Sequence, residues 1–332
     1  MGAAVTTFNY SGEMKDEKRN GKGTMRYRKG NVDDSQWVKD MKTNRDTYEG
    51  KVSLNYLDGI HRYLNGAIYE GEWVDDLKHG KGRIRYGNGD EYEGEWVKDM
   101  KYGKGTMTYG NGDEFVGYWK DNQKHGESIE YRGIMKFENG NVYNGGWWLD
   151  QNQGKGEMTY KNGDHYTGTF WKGQRGGKGL MKTCRGDVYE GGWLKDQKCG
   201  LGVMRFASND VYEGNWRGDK INGKGAMKYG CQDAYGSKFD DSMSERKGGR
   251  GKIFKGSDYY VGDWVDGKKR GKGIMKFGNG EVYDGGWDGD RKCGTGICTY
   301  ANGDTCQGNW IADKKIGHGC IHYANGDVYG IY

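Results

Sequence analysis

The sequence contains no proline, no long apolar run and no Cys-x-x-Cys pair. No stretch approaches the roughly 20 apolar residues that a membrane-spanning helix needs, and the N-terminus lacks the apolar core of a signal peptide. The seven cysteines are odd in number and irregularly spaced, which argues against a disulfide framework and against a zinc ribbon. We therefore expect a soluble protein in a reducing, intracellular environment.

Aliphatic residues are scarce, whereas glycine is abundant, at 64 of 332 residues. Such a composition ordinarily suggests disorder. The 12 Trp, 26 Tyr and 13 Met residues nevertheless supply enough apolar mass for a core built from rings and thioethers. The net charge of +5 arises from 52 basic and 47 acidic residues, and this near balance gives no reason to expect nucleic-acid binding.

One pattern recurs along the chain: an aromatic residue followed by x-Gly-x-Trp. Most copies are 23 residues apart, and single steps of 28 and 25 residues interrupt the series. Copies start at Tyr69, Tyr92, Phe115, Tyr143, Tyr166, Tyr189, Tyr212, Tyr235, Tyr260, Tyr283, Cys306 and Tyr329. We divide the chain into degenerate repeats at 1–66 and a regular array at 67–332, with irregular repeats at 120–142 and 236–259.

The first half of each repeat has the alternation of a β-strand. Between positions 68 and 74, apolar or small residues alternate with Glu70 and Glu72, so the two sets fall on opposite faces. The strand glycines leave space on the packed face for neighbouring rings. We predict that this face comprises Tyr69, Gly71, Trp73, Tyr92, Gly94, Trp96, Tyr143, Trp147, Tyr189, Trp193, Tyr212, Trp216, Tyr260, Trp264, Tyr283, Trp287 and Trp310.

The second half of each repeat predicts another short strand. After an expected loop that contains His-Gly-Lys-Gly, the residues Gly82, Ile84 and Tyr86 alternate with Arg83 and Arg85. These arginines and the glutamates of the first strands favour cross-strand ion pairs on the outward face. Asn-Gly-Asp follows, and Asn-Gly tolerates the positive φ of a tight hairpin turn. The predicted fold is all-β: an elongated, single-layer antiparallel meander with two short strands per 23-residue repeat.

These repeats resemble MORN (membrane occupation and recognition nexus) repeats. The resemblance rests on Tyr-x-Gly-x-Trp, a His-Gly-x-Gly-like segment, Gly-x-Met-x-Tyr and Asn-Gly-Asp, and it covers nearly the whole chain. It implies a twisted antiparallel β-ribbon. MORN proteins include junctophilins, cytoskeletal proteins of apicomplexans and trypanosomes, and radial-spoke heads of cilia. MORN repeats also precede catalytic domains in plant phosphatidylinositol phosphate kinases and in a lysine methyltransferase.

No catalytic constellation is present in the sequence. Gly-Lys-Gly recurs in nearly every repeat without the Walker pattern, so it indicates turn geometry and not phosphate binding. His79, His125, Cys199 and Cys293 occupy the same position of different repeats, which favours a structural role over a general base. We therefore predict a protein that is not an enzyme and that needs no cofactor.

One group near the C-terminal end is the only candidate for metal binding: Cys293, Cys298, Cys306, His318, Cys320 and His322. By strand alternation Cys298 and Cys306 point inward, whereas Cys320 and His322 point outward. Because four ligands cannot then converge within one subunit, no metal site is predicted.

Basic residues supply a further candidate site. Two neighbouring loops are expected to hold Arg246, Lys247, Arg250, Lys268, Lys269, Arg270 and Lys272. Such a strip could contact phosphoinositide headgroups or an acidic partner; the alternative is a solvated rim that nearby acidic residues offset. The first six residues also fit the pattern for myristoylation at Gly2.

The sequence favours a non-enzymatic scaffold that joins proteins in a cytoskeletal, ciliary or membrane-apposed complex. An anionic-phospholipid tether and a regulatory subunit of a phosphoinositide kinase or another enzyme are the alternatives. We expect protein partners, pairing of two copies through terminal edge strands, a cytoplasmic location, and no nucleic-acid ligand. We also expect ring surface to be exposed, because a single sheet leaves its inner face uncovered.

Overall fold

The structure is a computed structural model that describes residues 9–15, 18–26, 32–37, 47–53, 56–63, 65–74, 77–126, 132–230 and 257–331, with side chains from residue 60 onward. Every regular element in these ranges is a β-strand. None of the described residues belongs to a helix that could cross a membrane. The chain divides into an N-terminal unit, Met1–Lys161, and a C-terminal unit, Asn162–Tyr332.

The N-terminal unit is an antiparallel meander. Strands β1 to β3 form a three-stranded sheet, and from β4 onward each strand pairs with the next along the chain, except that β10 pairs with both β11 and β12. The strands are β1 (Asn9–Lys15), β2 (Lys18–Arg26), β3 (Val32–Trp37), β4 (Thr47–Ser53), β5 (Tyr56–Arg62), β6 (Ile68–Val74), β7 (Leu77–Arg85), β8 (Glu91–Val97), β9 (Met100–Thr108), β10 (Glu114–Lys120), β11 (Gln123–His125), β12 (Gly133–Lys136), β13 (Val142–Trp148) and β14 (Gln151–Thr159).

The C-terminal unit repeats this organisation, again with each strand paired to its sequence neighbour. Its strands are β15 (His165–Trp171), β16 (Gln174–Lys182), β17 (Val188–Leu194), β18 (Gln197–Arg205), β19 (Val211–Arg217), β20 (Lys220–Lys228), β21 (Tyr259–Val265), β22 (Lys268–Lys276), β23 (Val282–Asp288), β24 (Arg291–Thr299), β25 (Thr305–Ile311), β26 (Lys314–His322) and β27 (Val328–Ile331). The predicted all-β meander with two short strands per repeat is confirmed.

The His-Gly-Lys-Gly segment is not a loop, and that prediction was wrong. Positions 79–82 lie inside the nine-residue strand β7, where Gly82 is directly opposite Gly71 and Lys78 is opposite Trp73. Between these pairs the register shifts, which is the signature of a β-bulge. The Gly-Lys-Gly motif therefore marks a bulged strand and not a turn.

From β8 onward, two-residue turns join the first strand of a repeat to the second. Between β8 and β9 both turn residues have positive φ, 49° at Lys98 and 67° at Asp99, as a type I′ hairpin requires. Non-glycine residues tolerate this conformation here because the turn is anchored to the preceding repeat. Oδ1 of Asp99 accepts a hydrogen bond from the backbone N–H of Lys78 at 2.9 Å, and the N–H of Asp99 donates to the Lys78 carbonyl at 3.0 Å.

The Asn-Gly-Asp segments do form hairpin turns, but of a three-residue type. The N–H of Gly89 donates to the carbonyl of Tyr86 at 3.1 Å, and the N–H of Tyr86 donates to the carbonyl of Asp90 at 2.8 Å. Only Gly89, at φ 91°, has positive φ, whereas Asn88 does not. This is a type I turn closed by a glycine bulge. The Asn88 side chain instead accepts the N–H of Asp90 at 3.1 Å.

The irregular repeat near residue 127 interrupts a strand. Strand β10 pairs with β11 through Tyr118 and His125 and with β12 through Phe115 and Met135. In other repeats one nine-residue strand occupies both places. Strands β11 and β12 therefore take the place of one longer strand. Positions 127–131 between them, and positions 236–256 of the second irregular repeat, lie outside the described residues.

Candidate functional site

The inner face of each repeat is a buried column of rings, so the prediction of an exposed aromatic surface was wrong. Tyr69 and its equivalents up to Tyr283 are fully buried, and the tryptophans of the same face are at most 7% exposed, whereas Tyr329 of the last copy is 67% exposed. The Tyr69 ring lies across the glycine pair: a methyl group at Gly82 would stand 2.5 Å from its Cζ atom. The Tyr69 hydroxyl donates to the Glu72 carbonyl at 3.0 Å. This confirms that the strand glycines make room for rings.

The following repeat covers each tyrosine. Trp96 packs edge-on against Tyr69 at 5.4 Å between ring centroids, and its Nε1–H donates to the Gly82 carbonyl at 3.1 Å. The same tryptophan packs edge-on against Tyr92 of its own strand at 5.1 Å. Such edge-to-face pairs favour a fixed geometry. The inner face is therefore a core shared between neighbouring repeats and is not free to bind a partner.

A lysine closes the open side of most of the described ring columns, and Arg175 takes its place beside Tyr166 and Trp193. The Nζ atom of Lys101 lies 5.4 Å from the Tyr86 ring centre, 5.1 Å from that of Tyr92 and 4.9 Å from that of Trp119. We call this arrangement a lysine cage. Burial lowers the pKa of Lys101, although nearby aspartates oppose the shift. Cation–π attraction keeps the ammonium group over the rings, so these lysines are part of the packed core.

A second ring column lies beside the cages and is only partly covered. Tyr86 and Tyr229 are half-buried, and burial raises the pKa of each to about 12, with a further contribution from neighbouring aspartates. Tyr109 is also half-buried, and its hydroxyl lies 3.1 Å from Nζ of Lys124. These groups add hydrogen-bonding capacity along the rim of each cage.

The outward face of the N-terminal unit carries the predicted ion pairs. Glu91 accepts hydrogen bonds from Arg83 and, at 2.7 Å, from Arg85. Lys136 and Glu114 form a second pair at 3.1 Å. Exposed pairs of this kind contribute little to stability, and they keep this face polar.

Large apolar side chains also stand exposed on strands of the C-terminal unit. Trp171, Leu194 and Leu201 are 62%, 61% and 72% exposed, and we call them the apolar patch. They belong to β15, β17 and β18, each on the side opposite a buried neighbour such as Phe170. Sequence reasoning missed this surface, although an apolar residue at an outward strand position is a readable signal.

The predicted basic strip is divided by the structure. Arg246, Lys247, Arg250 and the Gly2 modification position lie outside the described residues. The remaining members, expected in a loop, lie on strand β22: Lys268, Lys269, Arg270 and Lys272. Three of these are exposed, whereas Lys269 is held in a lysine cage 4.7 Å from the Trp287 ring centre. The described part of the strip therefore lies on a strand and not in a loop.

The cysteines and histidines are placed as strand alternation predicts. Cys298 and Cys306 are buried on the inner face, whereas Cys320 and His322 lie on the other face with Sγ and Nε2 3.3 Å apart. Across the described ranges, no three potential ligands of this kind gather around one point. His79, His125, Cys199 and Cys293 all lie within strands at partly buried positions.

The repeat architecture agrees with the family comparison. The MORN repeat model matches eleven segments that together span more than half of the chain. The chain belongs to the MORN repeat family. The matched MORN segments are residues 10–32, 69–91, 92–114, 115–127, 143–165, 166–188, 189–211, 212–230, 260–282, 283–305 and 306–328. No curated protein matches the chain.

Among solved structures, this MORN protein is similar to the TCP10 domain of Danio rerio CPAP in complex with a STIL peptide. The identity is 10%, the TM-score is 0.32, and the similarity covers 85% of this chain and 97% of that chain. The TCP domain of Drosophila melanogaster SAS-4 with a proline-rich motif of Ana2 shows 12% identity and a TM-score of 0.30, over 53% of this chain and 95% of that chain. At these TM-scores the similarities carry no functional conclusion.

Proposed function

We propose that this MORN protein is a non-enzymatic scaffold that binds partner proteins through the apolar patch of its C-terminal unit. The observation that carries the proposal is the exposure of Trp171, Leu194 and Leu201 on regular strands. A contiguous exposed apolar surface marks an interaction site, and tryptophan is enriched among the residues that dominate binding energy. Membership of the MORN family supports a place in a cytoskeletal, ciliary or membrane-apposed assembly.

The backbone beneath the apolar patch favours recognition without rearrangement. Strand β17 pairs with β16 on one side and with β18 on the other, so Leu194 stands on a strand bonded along both edges. The neighbouring Trp193 is buried and fixes the strand from below, with its Nε1–H donating to the Gly179 carbonyl at 3.3 Å. Side chains held on such a frame lose little freedom when a partner binds.

Affinity isolation from native extract tests the proposal. The bait is the full chain, and the variant carries Trp171→Ser and Leu194→Ser. We expect at least one specific partner to bind the variant about 30-fold more weakly, since loss of a dominant contact costs roughly 2 kcal/mol or more. Leu149→Ser, which changes a 51% exposed leucine of the N-terminal unit, is the matched control. Equal recovery of all partners by bait and variant would refute this role of the patch.

A membrane-binding role is the second candidate, and the exposed cations on β22 favour it. The side chains of Lys268 and Lys272 form no ion pair with any described residue, whereas Arg270 lies 3.4 Å from Asp288. Each cation near an anionic surface contributes about 1 kcal/mol. Reversal of the charges at Lys268 and Lys272 should therefore weaken binding to anionic vesicles roughly thirtyfold. Unchanged vesicle binding, or none by the wild type, would exclude this role.

A further inference from the structure

One pair of buried residues departs from the repeat pattern on both strands at once. In other repeats a ring faces a methionine across the ladder, as Tyr260 faces Met275 and Phe115 faces Met107. At the corresponding place Cys298 faces Cys306, on β24 and β25. Both side chains are buried, at 7% and 3% exposure. Residues directly opposite in an antiparallel ladder have Cα atoms about 4.5–5.5 Å apart, within the roughly 4.4–6.8 Å that a disulfide spans.

The space left by the missing ring is filled by Lys315. Methyl groups at Gly308 and Gly319 would each stand 2.7 Å from its Cε atom, whereas in the preceding repeat such groups would meet the Tyr283 ring. The Lys315 ammonium is buried and has no hydrogen-bond partner among the described residues, and the Nε1–H of Trp310 has none either. A flexible cation thus replaces a rigid, hydrogen-bonded ring beside Cys306.

A second cation contacts the other cysteine. Nζ of Lys292 lies 3.7 Å from Sγ of Cys298, as Nζ of Lys101 lies 3.7 Å from the Met107 sulfur in an ordinary repeat. Burial raises the pKa of the Cys298 thiol, and the charge of Lys292 opposes that shift. Because the thiolate is the reactive form, the charge of Lys292 acts in the direction that oxidation requires, against the effect of burial.

We propose that Cys298 and Cys306 are a modification site at which a peroxide converts the facing thiols to a cross-strand disulfide. The Cys298 thiolate attacks one oxygen of hydrogen peroxide, the O–O bond breaks, and hydroxide leaves and is protonated to water. The resulting sulfenic acid is attacked by the Cys306 thiolate, its S–O bond breaks, and a second water forms. Two thiols and one peroxide give one disulfide and two waters; sulfur is oxidised and peroxide oxygen is reduced.

Mass spectrometry of the folded full chain tests the proposal. The protein is treated with hydrogen peroxide, its free thiols are alkylated, and it is digested without reduction by a protease that cleaves before aspartate. Cleavage before Asp290, Asp304 and Asp313 separates the two cysteines. We expect the fragments 290–303 and 304–312 to be joined, with dithiothreitol releasing them. A Cys293→Ser background removes the other cysteine of the first fragment.

Two variants separate the proposed chemistry from incidental oxidation. The double variant Cys298→Met, Cys306→Tyr restores the ordinary pair; it should fold, form no linked fragment and show no peroxide-dependent shift of its unfolding midpoint. Lys292→Met, which removes the ammonium group 3.7 Å from the Cys298 sulfur, should slow disulfide formation. Linkage only after denaturation, linkage through Cys293 alone, or no linked fragment from the folded protein would each overturn the proposal.

Discussion

Replacement of Gly179 by alanine should destabilise the C-terminal unit, whereas the same replacement at Gly176 should not. Both glycines lie on β16, and neither has positive φ. A methyl group at Gly179 would stand 2.5 Å from Cε2 and 2.6 Å from Cζ of Tyr166, a ring that is fully buried. A methyl group at Gly176 would meet only Cβ of Trp171, at 3.8 Å. The two sites therefore differ in packing, while neither requires a positive φ.

The expected loss of stability in Gly179→Ala follows from the contacts that the Tyr166 ring would lose. Its hydroxyl donates to the Thr169 carbonyl at 3.2 Å, and its ring packs edge-on against Phe170 and Trp193 at 5.2 and 5.3 Å. Overpacking costs about 1–3 kcal/mol and the strained hydrogen bond about 1 kcal/mol, so Gly179→Ala should cost about 2–4 kcal/mol. Gly176→Ala should be neutral or stabilising by up to about 1 kcal/mol, because alanine restricts the unfolded chain.

Urea denaturation followed by circular dichroism provides the measurement, and hydrogen exchange of β15–β17 provides a local readout for an array whose repeats can unfold separately. Tyr166→Ala removes the ring that the methyl group would strike. In that background Gly179→Ala should cost less than about 0.5 kcal/mol, which gives a large coupling free energy. Equal effects of Gly176→Ala and Gly179→Ala, or a Gly179→Ala cost that persists without the ring, would refute the reasoning.

Two further predictions concern turns and pH. Asp196→Ala should lower the free energy of unfolding by about 2 kcal/mol. The reason is that Oδ1 of Asp196 accepts the Arg175 N–H at 3.0 Å and that Asp196 has a φ of 66°. Asp196→Asn should be nearly neutral in urea denaturation, since Asn122 makes the equivalent bond. The pKa values of Tyr86 and Tyr229, raised by burial to about 12, lie above the unfolded value of about 10. Their stabilisation is complete below pH about 10 and falls as the pH rises to about 12. A thermal midpoint that stays constant over this interval would contradict the second prediction.

Much of the fold could be predicted because each 23-residue repeat also contains the two-residue alternation of a β-strand. The alternation around Tyr69 and Trp73 fixes which face is buried, and both side chains are buried. The turns could be predicted less well. Asn-Gly is the strongest hairpin signal in sequence, so a tight turn was expected there, but the two-residue turn lies at the other end of the second strand. Lys98-Asp99 carries no such signal; its positive φ values are stabilised by a hydrogen bond from Lys78, 21 residues away.

The candidate surfaces could be predicted only in part, since alternation shows which face a side chain occupies but not what covers it. The rings were expected to be exposed, yet Trp96 of the next hairpin covers Tyr69 and a lysine closes the column. Whether a ring is covered depends on the curvature of the sheet and on contacts between repeats, and neither can be read from the sequence of a single repeat. The exposure of Trp171 is equally a property of the assembled sheet, because outward positions hold both charged and apolar residues in each unit.

The most direct test of the scaffold role is hydroxyl-radical footprinting of the apolar patch in two states of the full chain. Trp171, Leu194 and Leu201 are labelled in the purified protein and in the native assembly isolated from cells, and the labelling rates are compared by mass spectrometry. A partner seated on the patch predicts that all three residues are labelled readily in the purified protein and are protected in the assembly, while Leu149 is labelled equally in both. Equal labelling of the patch in the two states would contradict the account.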